Sequence, residues 1–155
     1  MALPIQKLAK ALLGAETGLR ILRSLQSHDP RRNGGYLVIL NANTGIVEAT
    51  LFIGECSAPD ALRYLMFAME KATRLYKNPQ HDSSFQSRDA SRNMYQGAIR
   101  AGNYIFSFSG LDEEEDEATS LMSAIWAGCI GRRKAKGMVS VWANTKFTTC
   151  LALSS

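Results

Sequence analysis

The 155-residue chain is short of the residue patterns that announce common chemistries. Its three cysteines, Cys56, Cys129 and Cys150, are odd in number and have no CxxC spacing. They give no basis for a secreted disulfide framework or a cysteine zinc site, and a reduced, cytoplasmic setting is the simplest expectation. Only two histidines are present, His28 and His81. With no G-x-S-x-G or P-loop spacing beside them, neither a catalytic triad nor a phosphate-cradling loop can be assembled from motifs. No apolar run approaches the roughly 18–20 residues of a membrane span, so no membrane partner is expected. The first 13 residues contain Lys7 and Lys10 but no arginine or serine, and read as an ordinary first helix, not a targeting segment.

What the chain does have is an uneven charge distribution. Its net charge of +4 comes from 18 bases and 14 acids, and six of the acids form one run, Asp112-Glu113-Glu114-Glu115-Asp116-Glu117. The remaining eight acids face all 18 bases, so the rest of the chain is strongly basic. The run stands where an apolar stripe begins, and acids at a helix start gain roughly 0.3–1 kcal/mol each from the helix dipole. Helix-end electrostatics is therefore the first reading, with Arg132, Arg133, Lys134 and Lys136 closing the same helix. A metal site is not expected, because consecutive carboxylates point around the helix instead of converging. The bases are dispersed and no nucleic-acid signature accompanies them, so nucleic acid is not the expected partner.

Periodicity predicts a first helix from Pro4 to about His28, weakened by Gly14 and Gly18. Tyr36–Leu40 and Ile46–Ile53 read as a hairpin across Asn41–Gly45. A second helix starts at Ser57-Ala58-Pro59-Asp60 and stops at Asn78-Pro79, with Leu62, Leu65, Met66, Met69, Ala72, Leu75 and Tyr76 as its apolar face. Arg63, Glu70, Lys71 and Arg74 are assigned elsewhere on it. Residues 80–96 are polar and aperiodic, and a long irregular stretch inside a compact domain is often functional. A second hairpin pairs Ala98–Arg100 with Tyr104–Phe108. The third helix carries Ala118, Leu121, Met122, Ile125, Trp126, Cys129 and Ile130. A last hairpin is expected from Met138–Trp142 and Phe147–Leu153. The expectation is one α+β domain over residues 1–155, with an antiparallel sheet of about five or six strands flanked by helices in the order α-ββ-α-ββ-α-ββ. Residues 1–28 form its first helix, and residues 138–155 a C-terminal hairpin extension.

From Ala58 to Ile125 the sequence resembles the haem-degrading or haem-binding accessory family that includes glycolate-utilisation accessory proteins. The resemblance is carried by Glu70-Lys71-Ala72, Ser83-Ser84, Gln96-Gly97-Ala98-Ile99-Arg100 and Ile105-Phe106-Ser107-Phe108-Ser109-Gly110-Leu111, with Asp116 five residues on. It implies a profilin-like fold, assembly into homo-oligomers, and haem as the cofactor to consider. The chain departs from the family at Asp112, where a proline is often seen, and in its C-terminal extension. The expected function is a non-catalytic small-ligand-binding or accessory protein. Its candidate site is His81, Ser83, Ser84, Arg88, Tyr95, Gly97, Ser109 and Gly110. The serines, Arg88 and Tyr95 would make polar contacts, and Gly97 and Gly110 would allow close backbone approach. The alternatives are a scaffold working through protein contacts, and an enzyme with His81 as general base under a loop lid.

Overall fold

The computed structural model describes residues 2–154. Its elements run α1 (Ile5–Arg23), β1 (Gly34–Asn41), β2 (Val47–Gly54), α2 (Ala58–Tyr76), β3 (Ala98–Ala101), β4 (Tyr104–Ser109), α3 (Glu113–Trp126), α4 (Arg132–Val139) and α5 (Thr145–Leu153). The four strands form one antiparallel sheet in the order β2-β1-β4-β3. The α+β class and both hairpins up to Ser109 agree with the sequence reading. The strand count does not: among the described residues the sheet has four strands, not five or six.

The central strands explain themselves. Leu37, Val38, Ile39 and Leu40 are all buried, as an uninterrupted apolar run requires when both faces of a strand are covered. Leu37, Ile39, Phe106 and Phe108 face the core shared with α1 and α3, whereas Val38, Leu40, Ala98 and Ile105 face α2. Each large apolar side chain so buried contributes roughly 1.5–3 kcal/mol.

Helix α1 runs unbroken through Gly14 and Gly18 and ends at Arg23, short of His28. The two glycines lie against α3: a Cβ at Gly14 would collide with the Met122 carbonyl and the Trp126 side chain. Their helix-weakening cost is offset by the close approach they permit.

The expected C-terminal hairpin is replaced by α4 and α5, which changes the order to α-ββ-α-ββ-α-α-α. The Val-, Trp- and Phe-rich tail around Asn144-Thr145 reads as a strand pair. Burial instead follows a helical period, at Ala135 and Val139 in α4 and at Phe147 and Cys150 in α5. The pair Asn144-Thr145 is not a hairpin turn but a helix start: Asn144 Oδ1 accepts the Phe147 N–H at 3.1 Å. Among the described residues the C-terminal extension therefore contains no edge strand for pairing with another chain. Arg132, Arg133 and Lys134 open α4 instead of closing α3, whose last turn carries no base.

Candidate functional site

Helix α3 is the hub of the molecule, and its acid run is the reason. Successive residues turn by about 100° around a helix, so adjacent carboxylates reach different elements. Glu113 accepts two bonds from the Arg88 guanidinium, at 2.7 and 2.8 Å, and a third from the Gln96 N–H at 3.1 Å. Glu115 is buried against His28 Nδ1 at 3.0 Å, and the other ring nitrogen of His28 lies 2.7 Å from the Arg32 carbonyl. Asp116 receives Lys71 Nζ at 3.1 Å and the Leu111 N–H at 2.8 Å. Glu117 accepts from Ser83 Oγ at 2.6 Å, Asn144 Nδ2 at 2.8 Å and Trp142 Nε1 at 3.0 Å.

The helix dipole still favours these acids at the N-terminus, although Asp112 makes no side-chain cap bond. Their main task is different: they tie the first helix's exit, α2, residues 83–97 and the α4–α5 junction to one rod. Among the described residues no three His, Cys, Asp or Glu side chains gather where a metal ion could sit.

Burial pushes the Asp116 carboxyl up to about 7, against the opposing pull of Lys71 and the Leu111 N–H. Glu117 is raised for the same reason, partly countered by Asn144, Ser83, Trp142 and the neighbouring Gln96 amide. That amide makes no well-formed hydrogen bond of its own. Burial also pushes Glu113 up, but Arg88 and the Gln96 N–H outweigh it and hold its pKa below the ordinary value.

Above the start of α3 lies a cleft of about 810 Å³. Lys71, Asp116, Glu113 and Ser109 line it from α2, α3 and the end of β4. Its aromatic residues are Tyr64, Phe67, Phe85 and Tyr95, and Arg32, Arg63, Arg88, Gln96, Leu111, Asp112, Glu114 and Lys146 complete the lining. Phe67 and Tyr95 meet edge to face at 5.7 Å, and Phe85 stacks on Trp142 at 4.6 Å. The rings are therefore braced in place. Lys71 is almost wholly buried and also donates to the Phe108 carbonyl at 2.5 Å.

The irregular stretch before β3 is more ordered than its composition implies. It contains short 3₁₀ turns at Ser84–Ser87 and Ala90–Arg92. Ser83 and Gln86 form a reciprocal capping box on the first. Arg74, buried on α2, donates to the Ser84 carbonyl at 2.9 Å, Ser87 Oγ at 2.6 Å and the Tyr95 carbonyl at 2.5 Å. A segment fastened this way is a fixed wall.

The structure brings Arg88, Tyr95 and Ser109 together on the cleft. Ser83 and Ser84 are buried beneath it: Ser83 serves Glu117, and Ser84 Oγ accepts the Ala98 N–H at 3.0 Å. Gly97 has φ +141, and a Cβ there would run into the Lys71 ammonium. Gly110, at φ +150, packs against the Gly34 backbone. His81 does not line the cleft, and its Nδ1 is buried without a hydrogen bond. Sequence reasoning missed Lys71, Asp116, Glu113 and Phe67 as site residues. For Lys71 a signal existed: it falls in the helical series Ala68, Lys71, Ala72, Leu75, all four buried.

Haem iron needs an axial His, Cys, Met or Tyr. No histidine, cysteine or methionine lines the cleft, which leaves Tyr64 and Tyr95 as its axial candidates, and the Tyr95 hydroxyl is engaged with Asn93 Oδ1 at 3.2 Å. Comparison with protein-family models gives no match, and comparison with curated proteins gives none either. Among the described residues, no helix is long and apolar enough to cross a membrane.

Proposed function

We propose that this chain is a non-catalytic small-ligand-binding accessory protein, and that the ligand lies in the cleft over Lys71 and Asp116. The observation that carries the reading is the pairing of braced aromatic walls with a polar floor in one cleft of about 810 Å³. Small-molecule sites are concave, of roughly 300–1,000 Å³, with apolar walls and a few fixed polar groups. The floor groups support binding over proton transfer because their hydrogen bonds go to structural partners: Lys71 to Phe108 and Asp116, and Glu113 to Arg88 and Gln96. The ligand class that fits is a planar, largely aromatic molecule with polar substituents, its body against Phe67, Phe85 and Tyr95. Charges of both signs at Arg32, Glu114 and Lys146 meet its polar edge. Self-association of the chain belongs to the same reading.

The test is a fluorescence titration with anilinonaphthalene sulfonate, an aromatic anion of suitable shape. The expected result is saturable one-to-one binding, weakened roughly three- to tenfold in Tyr95→Ala for the loss of one ring contact. Met66→Ala, away from the cleft, should leave it unchanged. Absence of saturable binding would overturn the reading. So would binding that ignores Tyr95→Ala and disappears in Met66→Ala.

A further inference from the structure

Helix α2 buries one face on the sheet and leaves the opposite stripe without a partner. Leu62 and Met66 on that stripe are 63% and 64% exposed. They line an apolar groove of about 630 Å³ with Pro59, Phe67 and Met94, distinct from the ligand cleft but sharing Arg63 and Phe67 with it. Large exposed apolar side chains gathered in a groove are the usual mark of an interaction surface.

The charges beside the groove single out its occupant. Arg63 stands about one turn before Met66 and Glu70 about one turn after, and both line the groove. A second α2 laid antiparallel across a two-fold axis near Met66 brings each Arg63 against the other copy's Glu70. A parallel arrangement would oppose like charges. We infer that the Leu62–Met66 face of α2 is where two copies of this chain meet, antiparallel, with Met66 at the centre and two Arg63–Glu70 pairs at the flanks. Closed two-fold interfaces use one self-complementary patch twice, and this patch has that pattern.

The charged groups can take the added contacts. Arg63 donates through one nitrogen to Asp60 at 2.9 Å, and Glu70 accepts from Arg74 at 2.8 and 3.2 Å. A guanidinium has five N–H donors and a carboxylate about four acceptor positions, so neither is saturated. Because Arg63 and Phe67 serve both surfaces, the second copy would lie along the outer wall of the ligand cleft. This face gives a location to the self-association contained in the proposed function, and rests on that reading.

Sedimentation velocity on the full chain, across a wide concentration range, provides the test. The wild type is expected to show a reversible dimer. Met66→Glu should raise its dissociation constant about tenfold to a hundredfold, the range for a central interface side chain. Leu62→Asp is a second disruption on the exposed stripe, and circular dichroism checks that each variant is folded. Arg63→Glu alone and Glu70→Arg alone should each weaken the dimer, and an equimolar mixture of the two should recover it as a heterodimer. A monomeric wild type overturns both self-association and this surface, while dye binding in the cleft still stands or falls separately. A dimer that survives Met66→Glu and Leu62→Asp, or charge reversals that do not recover on mixing, places the contact elsewhere and overturns the inference alone.

Discussion

Replacing Asp116 with asparagine isolates the cost of burying a carboxyl under the cleft. In the folded chain Asp116 gives up its proton at about 7, against 3.8 for an open carboxyl. Between these values the folded state holds a proton that the unfolded chain has lost. Folding stability must therefore fall as pH rises from about 4 to about 7, and level off above. At about 1.36 kcal/mol per pKa unit, the displacement corresponds to a change of order 4 kcal/mol. The amide of the Asp116→Asn variant cannot ionise, so that chain escapes this penalty. The difference in unfolding free energy, variant minus wild type, should rise with pH by a few kcal/mol, whatever its value at pH 4. Urea denaturation at unit intervals from pH 4 to pH 8 measures it. Glu117, raised in the same direction, leaves some residual slope in both proteins. A difference that is flat, or that falls with pH, would mean that the Lys71 pair outweighs desolvation, and the reasoning would fail.

Two further substitutions probe the joints around α3. Asn144→Ala removes the α5 cap and takes a donor from buried Glu117; a lost cap costs roughly 0.5–2 kcal/mol and an under-satisfied buried group about 1–3, so urea unfolding should show a loss of about 2–4 kcal/mol. Gly97→Ala forces a side chain into a strained backbone region and onto Lys71. A thermal melt should show destabilisation by at least the roughly 1–3 kcal/mol of such strain, and dye affinity in the cleft should fall with it.

Much of the architecture was legible because local and tertiary demands agree. The wholly apolar Tyr36–Leu40 run becomes a central strand, and the stop at Asn78-Pro79 closes α2. The C-terminal segment misled because threonine and valine favour strands locally. What holds it is distant: Trp142 and Asn144, at the junction of α4 and α5, close over Glu117, a partner 25 to 27 residues earlier. The same distance problem hid the work of the acid run. Its position at a helix start was readable, but Glu115 finds His28 87 positions away. No local pattern encodes such a pairing. Arg88, Tyr95 and Ser109, read from the irregular stretch and the strand-to-helix junction, line the cleft, whereas the helical pattern assigns Lys71 off the apolar face of α2. It is buried because Asp116 and the Phe108 carbonyl receive its ammonium.

Mapping bound anilinonaphthalene sulfonate by amide chemical shifts tests the central claim, a ligand cleft built on the α3 carboxylates, most directly. The predicted result is that the shifted amides cluster at Phe67, Phe85, Arg88, Tyr95, Gln96 and Ser109. Shifts confined to the Leu62–Met66 face, or spread without a centre, would contradict it.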